Sequence, residues 1–123
     1  MLRIMALGDI FGRPGRNIIT NRISEFKREY EADFVIVNFE NCSGGMGPSE
    51  KNARELLAFK DVNVYTSGNH IWDKKDINNV IQESDRIVRP ANYPSPCPGR
   101  GWTVFRCKEK RIGVLNLAGT ALM

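Results

Sequence analysis

The sequence predicts an α/β fold with a mainly parallel sheet. Short apolar runs rich in β-branched residues alternate with segments of helical period. The first three runs start about 30 residues apart, the length of one strand–helix–strand step. Each of those runs is followed by polar side chains with electron-pair donor atoms: Asp9, then Glu40-Asn41, then Asn69-His70.

Leu2 to Leu7 is an apolar run closed by Gly8 and reads as a buried parallel strand. Pro14 suits the first turn of a helix, where its missing N–H is not needed. Ile19, Ile23, Phe26 and Tyr30 then recur at spacings of four, three and four, giving that helix one apolar face. Phe34 to Val37 is a second strand, ending at Asn38. After the glycine-rich loop 44–48, Ser49 is placed to cap a helix that turns Ala53, Leu56 and Leu57 inward. Val62 to Thr66 is a third strand, Ile77, Val80 and Ile81 mark a short helix, and Ile87-Val88 a brief strand. Residues 89–101 are rich in Pro and Gly and predict an ordered loop. Trp102 to Cys107 and Arg111 to Leu117 predict two strands joined by the charged turn Lys108-Glu109-Lys110. The βαβαβ order implies right-handed crossovers.

The 123 residues, 41% hydrophobic and 26% charged, suit one domain with one core. No apolar run approaches the ~20 residues of a membrane span. The apolar stretch at the N-terminus is too short for a secretory signal, so a cytoplasmic, membrane-free protein is expected. Cys42, Cys97 and Cys107 show no CxxC or Cys/His spacing, which argues against a disulfide framework or a structural zinc. Cys42 is expected to be a packing residue, with a place near a metal as the alternative. Lys and Arg exceed Asp and Glu by 18 to 14, enough to steer phosphate-bearing substrates. The basic residues are dispersed, so no stable nucleic-acid binding is expected.

Ligands of open α/β sheets bind beyond the carboxyl ends of the strands. A parallel sheet carries Asp9, Glu40-Asn41 and Asn69-His70 to that one edge. Asp and Glu offer anionic oxygens and a Glu can bridge two cations; Asn adds a neutral carbonyl oxygen, and imidazole favours iron, manganese or zinc. Two cations ~3.5–4 Å apart hold a phosphate and stabilise an in-line displacement. His70 suits either coordination or protonation of a leaving oxygen. Each residue also has a structural alternative. Asp9 suits capping of the next helix, Asn41 and Asn69 suit turns with unusual backbone angles, and a solitary histidine suits a hydrogen-bonded framework role.

The segments Gly8-Asp9-Ile10-Phe11-Gly12-Arg13-Pro14-Gly15-Arg16, Asn38-Phe39-Glu40-Asn41 and Thr66-Ser67-Gly68-Asn69-His70-Ile71-Trp72-Asp73 resemble the YmdB-like branch of the calcineurin-like metallophosphoesterases. Arg89 to Pro94 and Val114 to Gly119 are similar to that branch as well. Phe11, where the wider superfamily has a histidine, and Glu40-Asn41, where it has Gly-Asp, are features of the branch. The resemblance implies the N-terminal half of an αββα sandwich, with residues 1–123 forming a partial domain truncated at its C-terminus. It implies two iron or manganese ions, with Asp9, Glu40 and Asn41 on the first, Glu40 bridging, and Asn69 on the second. His70 corresponds to the proton donor. The implied reaction is hydrolysis of phosphodiesters, notably 2′,3′-cyclic nucleotides to 3′-nucleotides, and homo-oligomerisation is left open. The branch completes its site with three histidines from a second half, whereas no histidine follows His70 here. Asn92, with Tyr93, is expected to line the substrate pocket or to form part of a rigid connector. Trp72 and Asp73 are expected to pack or to support the site.

Two rival readings remain. Gly8, Gly12 and Gly15 would serve a nucleotide-binding module, although their spacing is neither GxGxxG nor a Walker A. A non-catalytic remnant would keep the fold's first half and act through protein contacts.

Overall fold

The computed structural model describes residues 1–119. Residues 120–123 lie outside the described residues. The elements run β1 (Ile4–Asp9), α1 (Gly12–Glu29), β2 (Phe34–Asn38), α2 (Glu50–Leu57), β3 (Val64–Thr66), a 3₁₀ turn (Asn69–Trp72), α3 (Ile77–Glu83), β4 (Ile87–Val88), β5 (Trp102–Cys107) and β6 (Lys110–Leu115). The first four strands form one parallel sheet in the order β1-β2-β3-β4. The last two form a separate antiparallel hairpin.

Strand order equal to chain order, with right-handed crossovers, puts every helix on the same face of the sheet. Alternation along the strands then splits the core in two. On the helix face Val35, Val37, Tyr65 and Ile87 pack with Ile19 and Ile23 of α1, Ala53 and Leu56 of α2, and Ile77, Val80 and Ile81 of α3. On the other face Phe34, Val64 and Val88 pack with Ile112 and Val114 of the hairpin, with Phe105 against them. The molecule is therefore layered helix, sheet, hairpin, as expected for one side of a sandwich. The hairpin's outward face carries Trp102, Val104 and Leu115, all exposed.

Most predicted elements stand, with shifts at their ends. Ser49 caps α2, its hydroxyl accepting from the Asn52 N–H at 3.3 Å. Pro14 lies in the first turn of α1, which begins two residues earlier at Gly12. The first strand is Ile4–Asp9, not Leu2 to Leu7, because pairing with β2 continues past a bulge between Leu7 and Asp9. Val62 and Asn63 precede β3, and Asn116 and Leu117 follow β6. Tyr30 leaves the apolar face predicted for α1: it is 62% exposed, past the last turn of the helix. Residues 89–101 form the ordered loop the sequence predicts. The Arg89 N–H donates to the Arg100 carbonyl, and its guanidinium donates to the carbonyls of Pro90 and Cys97. No helix of the described residues is long and apolar enough to cross a membrane.

Candidate metal centre

The sheet register sets the site. Asp9 pairs with Asn38, and Asn38 with Thr66, so the carboxyl ends of β1, β2 and β3 stand side by side. The chain beyond each end is tied to its neighbour: Ile10 N–H donates to the Asn38 carbonyl at 3.0 Å, and Phe39 N–H to that of Thr66 at 2.9 Å. Glu40-Asn41 and Asn69 therefore leave the sheet at one edge, as parallel strands require.

Glu40 is held from two sides. Asn38 Oδ1 accepts from the Glu40 N–H at 3.0 Å, an Asx turn that bends the chain back on the strand end. Asn38 Nδ2 donates to Glu40 Oε1 at 3.2 Å. On the opposite side the carboxylate lies against Gly68, where a Cβ would fall 2.5 Å from Oε1. A side chain at 68 would displace the carboxylate from this seat. Asn41 Nδ2 donates to Asp9 Oδ2 at 2.6 Å, which joins the first two predicted ligands.

These contacts leave two acceptors bare. Glu40 Oε2 and Asn41 Oδ1 are buried and have no hydrogen-bond donor. Buried acceptors without a donor are costly and scarce. The other buried side-chain atoms without a partner, among the described residues, are the N–H groups of Arg16, Trp72 and Arg89, and Asn78 Oδ1. Those are scattered, whereas the two acceptors at Glu40-Asn41 are adjacent in the chain and next to the Asp9 carboxylate. An edge that presents oxygens without donors suits a cation. The donor set is two carboxylates and the amides of Asn41 and Asn69. No group of three His, Cys, Asp or Glu suited to a metal occurs among the described residues. The set thus fits a hard, oxygen-preferring ion, and it is short of what two ions need.

A pocket of about 380 Å³ opens over the edge. Asn38, Glu40, Gly68, Asn69, Asn116 and Leu117 are among its lining residues. Glu40 and Asn69 thus share one pocket, with Asp9 and Asn41 linked to each other beside it. His70 sits one residue on, in the 3₁₀ turn, and does not line that pocket. Its Nδ1 lies 2.6 Å from Asp73 Oδ2, a contact that orients the ring and leaves Nε2 for another partner.

The structural alternatives fare unevenly. Asp9 does not cap α1: Phe11 occupies the N-cap position and no side chain caps the helix. Asn41 and Asn69 are not in left-handed backbone, since Glu31 and Lys108 are the non-glycine residues with positive φ among those described. Asn92 does not line the pocket over the edge. Its amide closes on the backbone of Ala118, donating to the carbonyl at 2.8 Å and accepting from the N–H at 3.0 Å. Tyr93 packs edge-on against Trp72 with ring centroids 5.0 Å apart. Cys42 is fully buried within the helix-face core, where burial pushes its thiol up to about 11, the surroundings of a packing residue. Gly15 has its own structural reason, since a Cβ there would meet the Ile10 backbone at 2.9 Å.

Two contributors escape the sequence reading. Asn38 stands there as a strand end and as part of a motif, without a role; the signal available is the Asn-x-Glu spacing, which suits an Asx turn. Gly68 stands there as part of a motif without its reason, which is the carboxylate seated on it.

Fold and edge together define an α/β protein with an oxygen-rich, cation-suited site at the strand ends. The chain belongs to the YmdB-like protein family, whose model matches residues 5–123. It is 37% identical over 122 residues to a Bacillus subtilis (strain 168) protein named 2′,3′-cyclic-nucleotide 2′-phosphodiesterase, covering 99% of this chain and 46% of that one. A crystal structure of a novel phosphatase from Mycoplasma pneumoniae superimposes with a TM-score of 0.87 at 39% identity, over 99% of this chain and 44% of that chain. A hypothetical protein from Thermus thermophilus superimposes with a TM-score of 0.88 at 30% identity, covering 99% and 47%. The chain spans about half the length of the relatives it matches.

Proposed function

We propose that this chain forms one side of a two-metal centre that hydrolyses phosphodiesters, with 2′,3′-cyclic nucleotides opened to 3′-nucleotides as the substrate class, in a cytoplasmic setting. The observation that carries the reading is the pair of buried acceptors without donors, Glu40 Oε2 and Asn41 Oδ1, beside Asp9. The name of the Bacillus subtilis relative supports the substrate class.

In this reading Asp9, Glu40 and Asn41 hold a first ion, and Glu40 and Asn69 reach a second. The oxygen-only donor set favours manganese; iron, the other ion the resemblance implies, would call for imidazole beyond these four residues. Bound, the ions would supply positive charge to the phosphoryl group as displacement proceeds. His70 protonates the leaving oxygen through Nε2. The Asp73 carboxylate, 2.6 Å from Nδ1, fixes the orientation of the ring.

Four oxygen donors are few for two ions, which keeps a second reading in view: a non-catalytic remnant acting through protein contacts. One assay separates them. The chain is mixed with a polypeptide equivalent to the uncovered half of its relatives, and hydrolysis of 2′,3′-cyclic AMP is followed with added Mn²⁺. The enzyme reading expects metal-dependent hydrolysis that falls about 10²–10⁴-fold in His70→Ala. No hydrolysis in the mixture at any Mn²⁺ concentration supports the remnant.

A further inference from the structure

We propose that Asn116 is a positioning residue for the metal edge: from the hairpin layer it pins the Ser67-Gly68 backbone on which the Glu40 carboxylate is seated. Its functional meaning rests on the reading above, while the geometry is independent of it.

Asn116 lies one residue past β6 and is itself anchored. Its N–H donates to the Gly101 carbonyl at 3.1 Å, and its carbonyl accepts from the Ala91 N–H at 2.8 Å. From this fixed base the side chain crosses to the parallel sheet. Nδ2 donates to the Ser67 carbonyl at 2.6 Å and to the Val88 carbonyl at 3.0 Å. An amide nitrogen carries two hydrogens, and both are used.

The location gives the contact its consequence. The pairing of β3 with β4 ends at Thr66 and Val88. Beyond it, Ser67 N–H still reaches the Val88 carbonyl at 3.2 Å, but its own carbonyl has the Asn116 amide as its donor. The next residue is Gly68, against which the Glu40 carboxylate lies. Asn38 holds the other side of that carboxylate from within the sheet. One wall of the seat thus belongs to β2, and the other depends on a residue 49 positions away in the chain. Asn69 follows directly, so the same pin sets where a second predicted ligand leaves the strand. A hydrophobic or anionic residue at 116 could not replace it, because the Ser67 carbonyl would lose its donor, while the Val88 carbonyl keeps the Ser67 N–H and hydroxyl.

The test uses Asn116→Ala and the near-isosteric Asn116→Asp, the latter preserving volume if the former packs poorly. Amide hydrogen exchange is read at Ser67 and at Ile71, whose N–H donates to the Gly68 carbonyl. Exchange at Ile36 in β2 serves as the internal reference. Mn²⁺ affinity is measured on the same samples. Exchange at Ser67 and Ile71 should rise at least about 10-fold in both variants with Ile36 within about twofold, and Mn²⁺ affinity should fall at least about fivefold. Unchanged exchange at Ser67 and Ile71, an equal rise at Ile36, or wild-type Mn²⁺ affinity in both variants would overturn the proposal. Failure of the wild type to bind Mn²⁺ would overturn the metal reading instead, and the exchange pattern would then decide the pinning alone.

Discussion

The two ends of the parallel sheet treat their polar groups in opposite ways. At the amino ends of the strands, Asn63 Oδ1 accepts from the Val35 N–H at 2.8 Å. Asp33 accepts from the Arg3 backbone N–H at 2.9 Å and pairs with Lys108 at 2.7 Å. The Arg86 guanidinium donates to the carbonyls of Leu57, Phe59, Val62 and Asn63, gathering the end of α2 and the start of β3 around one cation. At the carboxyl ends, by contrast, Glu40 Oε2 and Asn41 Oδ1 are buried with nothing to accept from. Both ends satisfy backbone carbonyls with a side chain, Arg86 at one and Asn116 at the other, but of the two only the carboxyl end leaves adjacent side-chain acceptors without donors. The amino end is built to hold the fold, and the carboxyl end gives up some stability by leaving those two acceptors bare.

Mutations at the two ends should therefore move stability in different directions. Arg86→Ala strands four carbonyls at a half-buried position and removes the cation from a helix C-terminus. It should cost about 2–4 kcal/mol in urea denaturation. A change below about 0.5 kcal/mol would show that water replaces the guanidinium at little cost. Glu40→Gln should have the opposite sign. Without added metal, the variant should equal or exceed the wild type by up to about 1 kcal/mol in the same experiment, because a buried charge with a bare oxygen is removed. A loss above about 2 kcal/mol would make Glu40 a structural residue and erase the contrast.

The smallest effect concerns pH. The hydrogen bond from Lys108, then that from the Arg3 N–H, holds the Asp33 carboxyl below the usual aspartate range. A folded-state value below the unfolded one contributes stability above the unfolded pKa, about 3.9, and loses it as pH falls through the folded value. The stability gap between wild type and Asp33→Asn should thus be present at neutral pH and close in acid. A gap that is flat with pH would assign the pair no role.

The sequence told more about where residues converge than about how they are held. Strand–helix alternation and a parallel sheet suffice to bring Asp9, Glu40, Asn41 and Asn69 to one edge, because each follows a strand end. The ends of elements were less legible. Gly8 looked like a stop, yet a bulge lets β1 run on to Asp9. Helical periodicity counted Tyr30 as inward although α1 has already ended there. Least legible were contacts between distant side chains and backbone. Nothing local to Asn116 points to the Ser67 carbonyl, and nothing local to Asn92 points to Ala118 rather than to a substrate. Contacts short in sequence are within reach of spacing: Asp73 sits three residues from His70 and Asn38 two from Glu40.

The most direct test of the cation edge is a titration of the chain with Mn²⁺ followed by electron paramagnetic resonance, beside Glu40→Gln. Saturable binding that is weakened at least about 100-fold in Glu40→Gln, with the fold intact by circular dichroism, is the predicted result. Equal binding by both proteins, or none by the wild type, would contradict it.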